Sequence, residues 1–242
     1  MTQKKTGTYE WAQANENCCH GCPNDCRYCY ARRMAMRFHR EDADTWAIMH
    51  PNLKKKPKLH KGRVMFPTSH DLPFKHLDWW FPYLERLLEL GNDVLIVTKP
   101  EFSSVAFMCD HLGQYKDKME FRFTIGTMSD QIREYWEPGA PEINERLDAA
   151  ELAGVCGFRT SVSMEPLLMM DPVPFIRDLK QVVHGEIWIG CMNHMTFDPA
   201  IPEHQYQMQV QSRENMKSVW DQTHTDPQIR YKDSVRELLG LP

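Results

Sequence analysis

The chain reads as an α/β protein: parallel strands, each followed by a helix, wound into a partly open barrel of six βα units. Three observations lead there. Short β-rich apolar runs alternate with segments of helical periodicity along most of the sequence. One of these runs, Val94-Leu95-Ile96-Val97, is continuously apolar, as a strand buried on both faces must be. Polar groups gather directly after the strand runs, where a parallel barrel collects its chemistry. At 242 residues the chain suits one such domain. It is read as a single unit over 1–242, with a cysteine loop at 18–30, a core to about 195 and a C-terminal extension over 196–242.

The elements follow in order. Residues 9–14 form the first expected strand, leading into the cysteine loop and a helix over 32–40. The second strand is 63–66. A helix over 76–90 carries Leu77, Trp80, Leu84, Leu87 and Leu88 and stops at Gly91-Asn92, a small flexible pair suited to a helix end. Strand three is 94–97, followed by a helix over 102–112 and strand four at 121–126. The next helix, 141–153, presents Ile143, Leu147, Ala150 and Leu152 and ends near Gly154. Strand five is 158–164, then a helix over 173–183, then strand six at 186–190. Alternation of this kind calls for parallel pairing. Right-handed crossovers wind the six units into a curved barrel.

Charge and composition bound the function. The net charge of −4 makes no global case for nucleic acid. One stretch, 54–63, holds Lys54, Lys55, Lys56, Lys58, Lys61 and Arg63 with no acid; it is either a solvated loop or a phosphate-binding strip. No apolar run approaches the roughly 20 residues a membrane-spanning helix needs. Five of the eight cysteines crowd between 18 and 29, which suits a reducing compartment where thiolates persist to bind metal. With no signal peptide visible, a cytoplasmic location is the expectation.

The most informative run is Cys22-Pro23-Asn24-Asp25-Cys26-Arg27-Tyr28-Cys29-Tyr30. Three thiolates in Cys-x3-Cys-x2-Cys spacing supply three ligands to a four-iron cluster and leave one iron open. A zinc site is the competing reading, with Cys18, Cys19 or His20 as the fourth ligand. A three-residue gap followed by a two-residue gap is unusual for zinc ribbons, however, and no second pair follows. Cys18 and Cys19 are surplus to a three-thiolate site and receive no role. Polar strand endings complete the picture: Pro67-Thr68-Ser69-His70-Asp71, Thr98-Lys99, Thr127-Met128-Ser129-Asp130, Glu165-Pro166 and Cys191-Met192-Asn193-His194. Five of them on one rim, with the cysteine loop above the first strand, make a site.

The cysteine motif, with an aromatic residue just before its third cysteine, resembles the signature of the radical S-adenosylmethionine (SAM) superfamily. Four segments in order further resemble its spore photoproduct lyase-like branch: 22–30; Thr68-Ser69-His70-Asp71; Ile96-Val97-Thr98-Lys99; and Phe121-Arg122-Phe123-Thr124-Ile125 through Glu137-Pro138-Gly139-Ala140-Pro141 to Glu145-Arg146-Leu147-Asp148-Ala149-Ala150. The similarity spans about 18–166; beyond it no lyase-specific match follows, and the chain looks shorter than the lyases at that end. The resemblance implies a partial (βα)6 radical SAM core and a [4Fe-4S] cluster on Cys22, Cys26 and Cys29. It also implies SAM chelating the open iron, and a flavodoxin- or ferredoxin-type reductant protein. One electron then cleaves SAM to methionine and a 5′-deoxyadenosyl radical. For SAM binding it implies Lys99 on the carboxylate or ribose, Arg146 facing the carboxylate as a planar fork, Ser69 and Thr124 as hydroxyl donors, and Tyr28 beside the cluster near the adenine. The ordinary alternatives are an exposed lysine, a helix-surface arginine, satisfied hydroxyls and core packing.

The sequence also departs from the lyases. Pro67 stands where they carry a hydrogen-donating cysteine, and their tyrosine pair has no counterpart between Ala31 and Pro67. Cluster and SAM binding therefore carry over, and the lyase substrate does not. Among rim groups with chemistry, Glu165 ends a buried strand and needs a partner: a substrate amine, SAM or a structural arginine. His194 is a loop histidine, and Cys191 is a candidate hydrogen-atom donor or a plain core thiol. The expected function is a radical SAM enzyme that modifies, rearranges or repairs a pyrimidine nucleobase, free or in nucleic acid. A peptide or metabolite substrate is one alternative. A zinc-binding adaptor using Cys19, Cys22, Cys26 and Cys29 is the other.

Overall fold

The computed structural model describes residues 7–40 and 42–241. Its strands are β1 (Ala14–Asn15), β2 (Cys19–His20), β3 (His50–Pro51), β4 (Val64–Phe66), β5 (Val94–Thr98), β6 (Met119–Thr124), β7 (Arg159–Met164), β8 (Ile187–Ile189) and β9 (Ile229–Tyr231). The helices are α1 (Tyr30–Arg37), α2 (Leu77–Glu89), α3 (Phe102–His111), α4 (Asp130–Trp136), α5 (Ile143–Val155), α6 (Val173–Val182), α7 (Pro202–Val210), α8 (Arg213–Thr223) and α9 (Asp233–Leu239). Seven strands form one all-parallel sheet in the order β1-β4-β5-β6-β7-β8-β9, so each crossover adds the next strand to the same edge. The sheet curls into a half-barrel. β2 and β3 pair antiparallel beside it.

Period-two alternation sorts the strands into two faces. Phe121, Phe123, Val162, Ile187 and Ile189 point outward into the main core with α3, α5 and α6. The intervening residues face the lumen and are polar: Arg122 donates to Ser161 Oγ (3.0 Å) and pairs with Glu120 (3.0 Å) and Glu186 (3.6 Å). Arg63 extends this network, reaching Glu120 at 2.7 Å and Asp93 at 3.1 Å. The barrel floor is thus a ladder of satisfied charges rather than an apolar plug.

The structure alters four expectations. Residues 9–14 are not one strand: a 3-10 turn, Gly7–Glu10, precedes the short β1. The cause is tertiary. Lys232, just past β9, takes Glu10 Oε1 (2.9 Å) and the Gly7 carbonyl (2.6 Å), and Trp11 packs edge-on against Trp188 (5.8 Å). The N-terminal turn therefore crosses the lumen from the first edge strand to the last. The helix expected over 32–40 starts at Tyr30, because the Cys29 thiol accepts the Arg32 N–H (3.4 Å) and caps it. A seventh strand, β9, lies in the C-terminal extension with α7, α8 and α9; its three residues centre on a charged Arg230, which hides them from an apolar pattern search. Finally, α4 fills the link between β6 and α5. Among the described residues no helix is long and apolar enough to cross a membrane.

A candidate cluster site at the mouth of the barrel

The cysteine loop leaves β2 and ends at α1, over the C-terminal ends of the strands. Gly21 opens it at φ +73°, where any Cβ would lie 2.2 Å from the Ile48 carbonyl oxygen. Cys22 N–H donates to the Trp46 carbonyl (2.8 Å), and Arg27 N–H to the Trp136 carbonyl (2.9 Å). Asn24 joins loop to rim: its amide donates to Asp71 Oδ2 (2.7 Å), and its carbonyl accepts the Gly139 N–H (3.1 Å). Asp71 is a hub. Besides Asn24 it accepts the Lys99 N–H (3.0 Å), the Leu72 N–H (2.8 Å) and the Thr98 hydroxyl.

The three thiols face one another closely enough to interact electrostatically. Burial pushes Cys22 well up, with Asp71 and Cys26 adding to the effect; it pushes Cys26 up to about 12, and raises Cys29 as well. Cys22 and Cys29 are only half-buried by area, yet desolvation leads for both. Thiols in this setting become thiolates when a metal supplies the compensating charge. Their sulfurs do not all lie within 4.8 Å of one another. A single tetrahedral zinc needs sulfur–sulfur edges of roughly 3.8 Å, given Zn–S bonds near 2.3 Å. The all-thiol donor set fits an iron–sulfur cluster. Cys19, assigned to a zinc tetrahedron in one sequence reading, lies instead 3.7 Å from Cys18, away from this trio.

Behind the loop sits a buried charged knot. Glu137, 1% exposed, accepts the Tyr28 hydroxyl, pairs with Arg146 Nη1 at 2.6 Å and lies 3.8 Å from Lys99 Nζ. Lys99 Nζ stands 5.5 Å over the Tyr28 ring. Burial works to lower the Lys99 pKa, but Cys26 and Glu137 outweigh it and the net shift is upward, so this amine is an ammonium beside the thiols. Arg146, expected from the resemblance to face the SAM carboxylate, is completely buried and donates to the Thr124 (3.1 Å) and Pro141 (2.9 Å) carbonyls as well as pairing with Glu137. Its Nη2 has no protein partner. Arg146 reaches the mouth through Glu137, a residue that carried no role in the sequence.

The remaining candidates spread around the same rim. Ser69 is half-exposed after β4, its N–H held by Asn17 Oδ1 (2.7 Å); Thr124 is buried at the end of β6. Glu165 follows β7 and meets Lys232 Nζ at 3.5 Å; its cationic partner comes from the C-terminal extension, which no local signal reveals. Cys191 is buried after β8, its N–H on Ser234 Oγ (3.1 Å), and burial pushes its thiol up to about 11. His194 is exposed at φ 59°, and its ring lies tilted against Tyr30 (5.1 Å), immediately beyond Cys29.

Burial raises the Glu165 pKa from 4.5 to about 7, against the pull of Lys232. A carboxyl held more tightly protonated in the folded state favours folding at low pH, and that contribution is lost as pH rises through the folded value. Wild-type stability relative to Glu165→Gln should therefore decline between pH 4.5 and about 7. Urea melts of both proteins across that window check it; parallel pH profiles would count against this environment for Glu165.

The structure superposes on spore photoproduct lyase complexed with dinucleoside spore photoproduct with a TM-score of 0.61 and 16% identity, covering 95% of this chain and 79% of that one. The fold is the radical SAM fold. SuiB of Streptococcus suis, bound to S-adenosylmethionine, matches with a TM-score of 0.51 and 11% identity, over 88% of this chain and 46% of that one. By sequence, the chain is 28% identical over 165 residues to the uncharacterized protein ORF301 of Acidianus two-tailed virus, and 22% identical over 168 residues to the uncharacterized protein MJ0683 of Methanocaldococcus jannaschii. These alignments cover 61% and 67% of this chain but only 53% and 61% of those proteins. No family model matches. In the radical SAM fold the mouth described here, with its cysteine loop, is the C-terminal face of the strands, the face that carries chemistry in parallel barrels.

Proposed function

We propose that the chain is a radical SAM enzyme acting on a nucleobase carried in nucleic acid. The observation behind the first half is the seat of the cysteine loop: three thiols over the strand ends, beside a buried ammonium, in a wall of hydrogen-bonded charges. When bound, a [4Fe-4S] cluster with one open iron supplies a 5′-deoxyadenosyl radical from SAM, with a flavodoxin- or ferredoxin-type protein as the electron source. Cys22, Cys26 and Cys29 would hold the cluster. Lys99, pinned between Tyr28 and Glu137, offers a charge-assisted contact to a carboxylate or ribose. Tyr28 supplies an aromatic wall, and Ser69 and Thr124 supply hydroxyls. Arg146 acts as a positioning residue by fixing Glu137. Cys191 keeps its thiol hydrogen at neutral pH and lies near Glu165, whose proton is held up to about 7. These two are the proposed hydrogen donor and proton-handling group, with His194 at the outer lip.

Replacing Lys99 with Ala should weaken SAM binding without loss of iron. Removing a charge-assisted contact costs about 1.5–3 kcal/mol, or roughly ten- to a hundredfold in affinity. Equilibrium binding to the reconstituted protein reads this directly, and unchanged affinity would remove Lys99 from the site.

The polymer half rests on α1. This helix begins at the cluster loop, buries none of its residues, and exposes Arg33, Arg37 and the following Arg40 with the aromatics Tyr30 and Phe38. Arg37 and Arg40 stack over the Phe38 ring at 5.9 and 5.5 Å. Basic and aromatic groups in this mixture fit a phosphate backbone with unstacked bases. The basic stretch at 54–63 is placed differently. Lys55 and His60 both bond buried Glu16 (2.7 Å each), and Asn92, near the start of β5, bonds residues 58 and 60. That loop runs toward the opposite end of the barrel. Changing Arg33, Arg37 and Arg40 to Gln should flatten the salt dependence of single-stranded DNA or RNA binding, by roughly 0.7 in log–log slope per lost phosphate contact. Changing Lys54, Lys56, Lys58 and Lys61 should not. Absence of salt-dependent binding in the wild type would point to a peptide or free metabolite instead.

A further inference from the structure

We propose that Cys18, Cys19 and His70 form a second, mononuclear metal site, built for zinc and separate from the cluster loop. Cys18 Sγ lies 3.7 Å from Cys19 Sγ and 3.7 Å from His70 Nε2, and all three ligand atoms fall within 4.8 Å of one another. With Zn–S bonds near 2.3 Å and Zn–N near 2.0–2.1 Å, tetrahedral edges are roughly 3.8 Å between sulfurs and 3.6 Å between sulfur and nitrogen. Two edges match these values, and the third, Cys19 Sγ to His70 Nε2, lies within 4.8 Å. Among the described residues this is the trio of His, Cys or carboxylate ligand atoms that closes to a single ion's dimensions.

The imidazole is already oriented for the task. His70 Nδ1 lies 2.8 Å from the Asp71 carbonyl oxygen, a contact it makes only as an N–H donor. The lone pair is therefore on Nε2, aimed at Cys18, whose N–H donates to it at 3.1 Å. A backbone carbonyl on the far nitrogen is the usual support of a metal-bound histidine. Phe66 packs edge-on against the ring (5.9 Å) and fixes its plane. Both thiols are buried, at 3% and 2% exposure, so a bound ion would be shielded from bulk water. Binding would displace the Cys18 N–H from Nε2 and release two thiol protons to solvent as the zinc–sulfur bonds form. Cys18 also lines a cavity of roughly 340 Å³ with Lys55, Asp78, Tyr83 and Arg86, from which a water or small exogenous ligand would complete the tetrahedron.

The site joins distant parts of the chain. Cys18 and Cys19 stand just before the cluster loop, and His70 precedes Asp71, whose carboxylate holds Asn24 of that loop. A bound ion would therefore staple the entry of the cluster loop to the rim of β4.

Metal analysis of the full-length protein tests this. After iron and sulfide reconstitution, incubation with zinc chloride and desalting, the wild type should hold one zinc per chain in addition to its iron. Cys19→Ala and His70→Gln should lose zinc affinity by more than the roughly 10–100-fold that loss of a supporting group costs, with iron and sulfide unchanged. Cys26→Ala should lose iron and keep zinc. X-ray absorption at the zinc edge of the wild type, which needs no variant to fold, should show two sulfurs and one imidazole. Absence of zinc, a four-sulfur shell, or zinc retained in both Cys19→Ala and His70→Gln would overturn the proposal. Iron content reports on the cluster independently of each of these results.

Discussion

Cys26→Ala protein, reconstituted with iron and sulfide without oxygen, is expected to come out colourless, with iron at background and no cleavage of SAM. Cys26 is the most buried of the three loop thiols, and Lys99 acts on it as well as on Cys29. Its loss leaves two thiolates for a cluster whose fourth iron has no protein ligand at all. Cys22→Ala and Cys29→Ala should behave alike, and Cys29→Ala also removes the thiol that caps α1. Cys109→Ala and Cys156→Ala are the controls. Those two thiols interact with each other, on α3 and just past α5, and their loss should leave iron, sulfide and colour intact. Full iron in Cys26→Ala would contradict the assignment of the loop.

The second large effect is on stability. Arg146→Ala leaves the Glu137 carboxylate buried opposite Tyr28 with only Lys99, at 3.8 Å, for charge compensation. Breaking a buried pair by removing one partner costs about 3–5 kcal/mol. For a chain of this size that is a fall in Tm of roughly 6–20 °C. The acid limb of stability should change with it. Burial raises the Glu137 pKa, but Lys99, Arg146 and the Tyr28 hydrogen bond outweigh it and the net shift is downward. A lowered carboxylate contributes stability above its ordinary value of 4.5 and loses it as pH falls through the folded value. Arg146→Ala should shrink that acid-side dependence, and Arg146→Lys should restore part of it. Calorimetry of the three proteins at pH 7 and pH 4 decides the point; an unchanged Tm in Arg146→Ala would mean that the knot is not held by this pair.

The strands that position the mouth were legible where burial on both faces makes them apolar: Val94–Thr98 stands on its apolar run, whereas the strand expected at 121–126 is found at Met119–Thr124, begun early through Glu120 and Arg122, which face the polar lumen. The cysteine loop was legible because ligand spacing is local. What escaped was set by contacts across the fold. The first strand shortened because Lys232, more than 200 residues away, claims Glu10 and Gly7. Glu137 and Asp71 look like ordinary loop acids in sequence; only the approach of Lys99, Arg146, Tyr28 and Asn24 makes them hubs. Of the two readings of Arg146, a fork facing a carboxylate or a helix-surface arginine, burial removes the second, because the fold closes over it. The basic stretch at 54–63 left two readings open for a related reason: composition shows charge but not direction, and Glu16, Asp93 and Glu120 pair with part of it.

The central claim is that the three-cysteine loop at the barrel mouth equips this chain to cleave SAM reductively. The direct measurement is product analysis of reconstituted wild-type protein incubated anaerobically with SAM and dithionite. Formation of 5′-deoxyadenosine and methionine in equal amounts, absent from Cys26→Ala run in parallel, is the predicted result. A fully iron-loaded wild-type protein that releases no 5′-deoxyadenosine would contradict it.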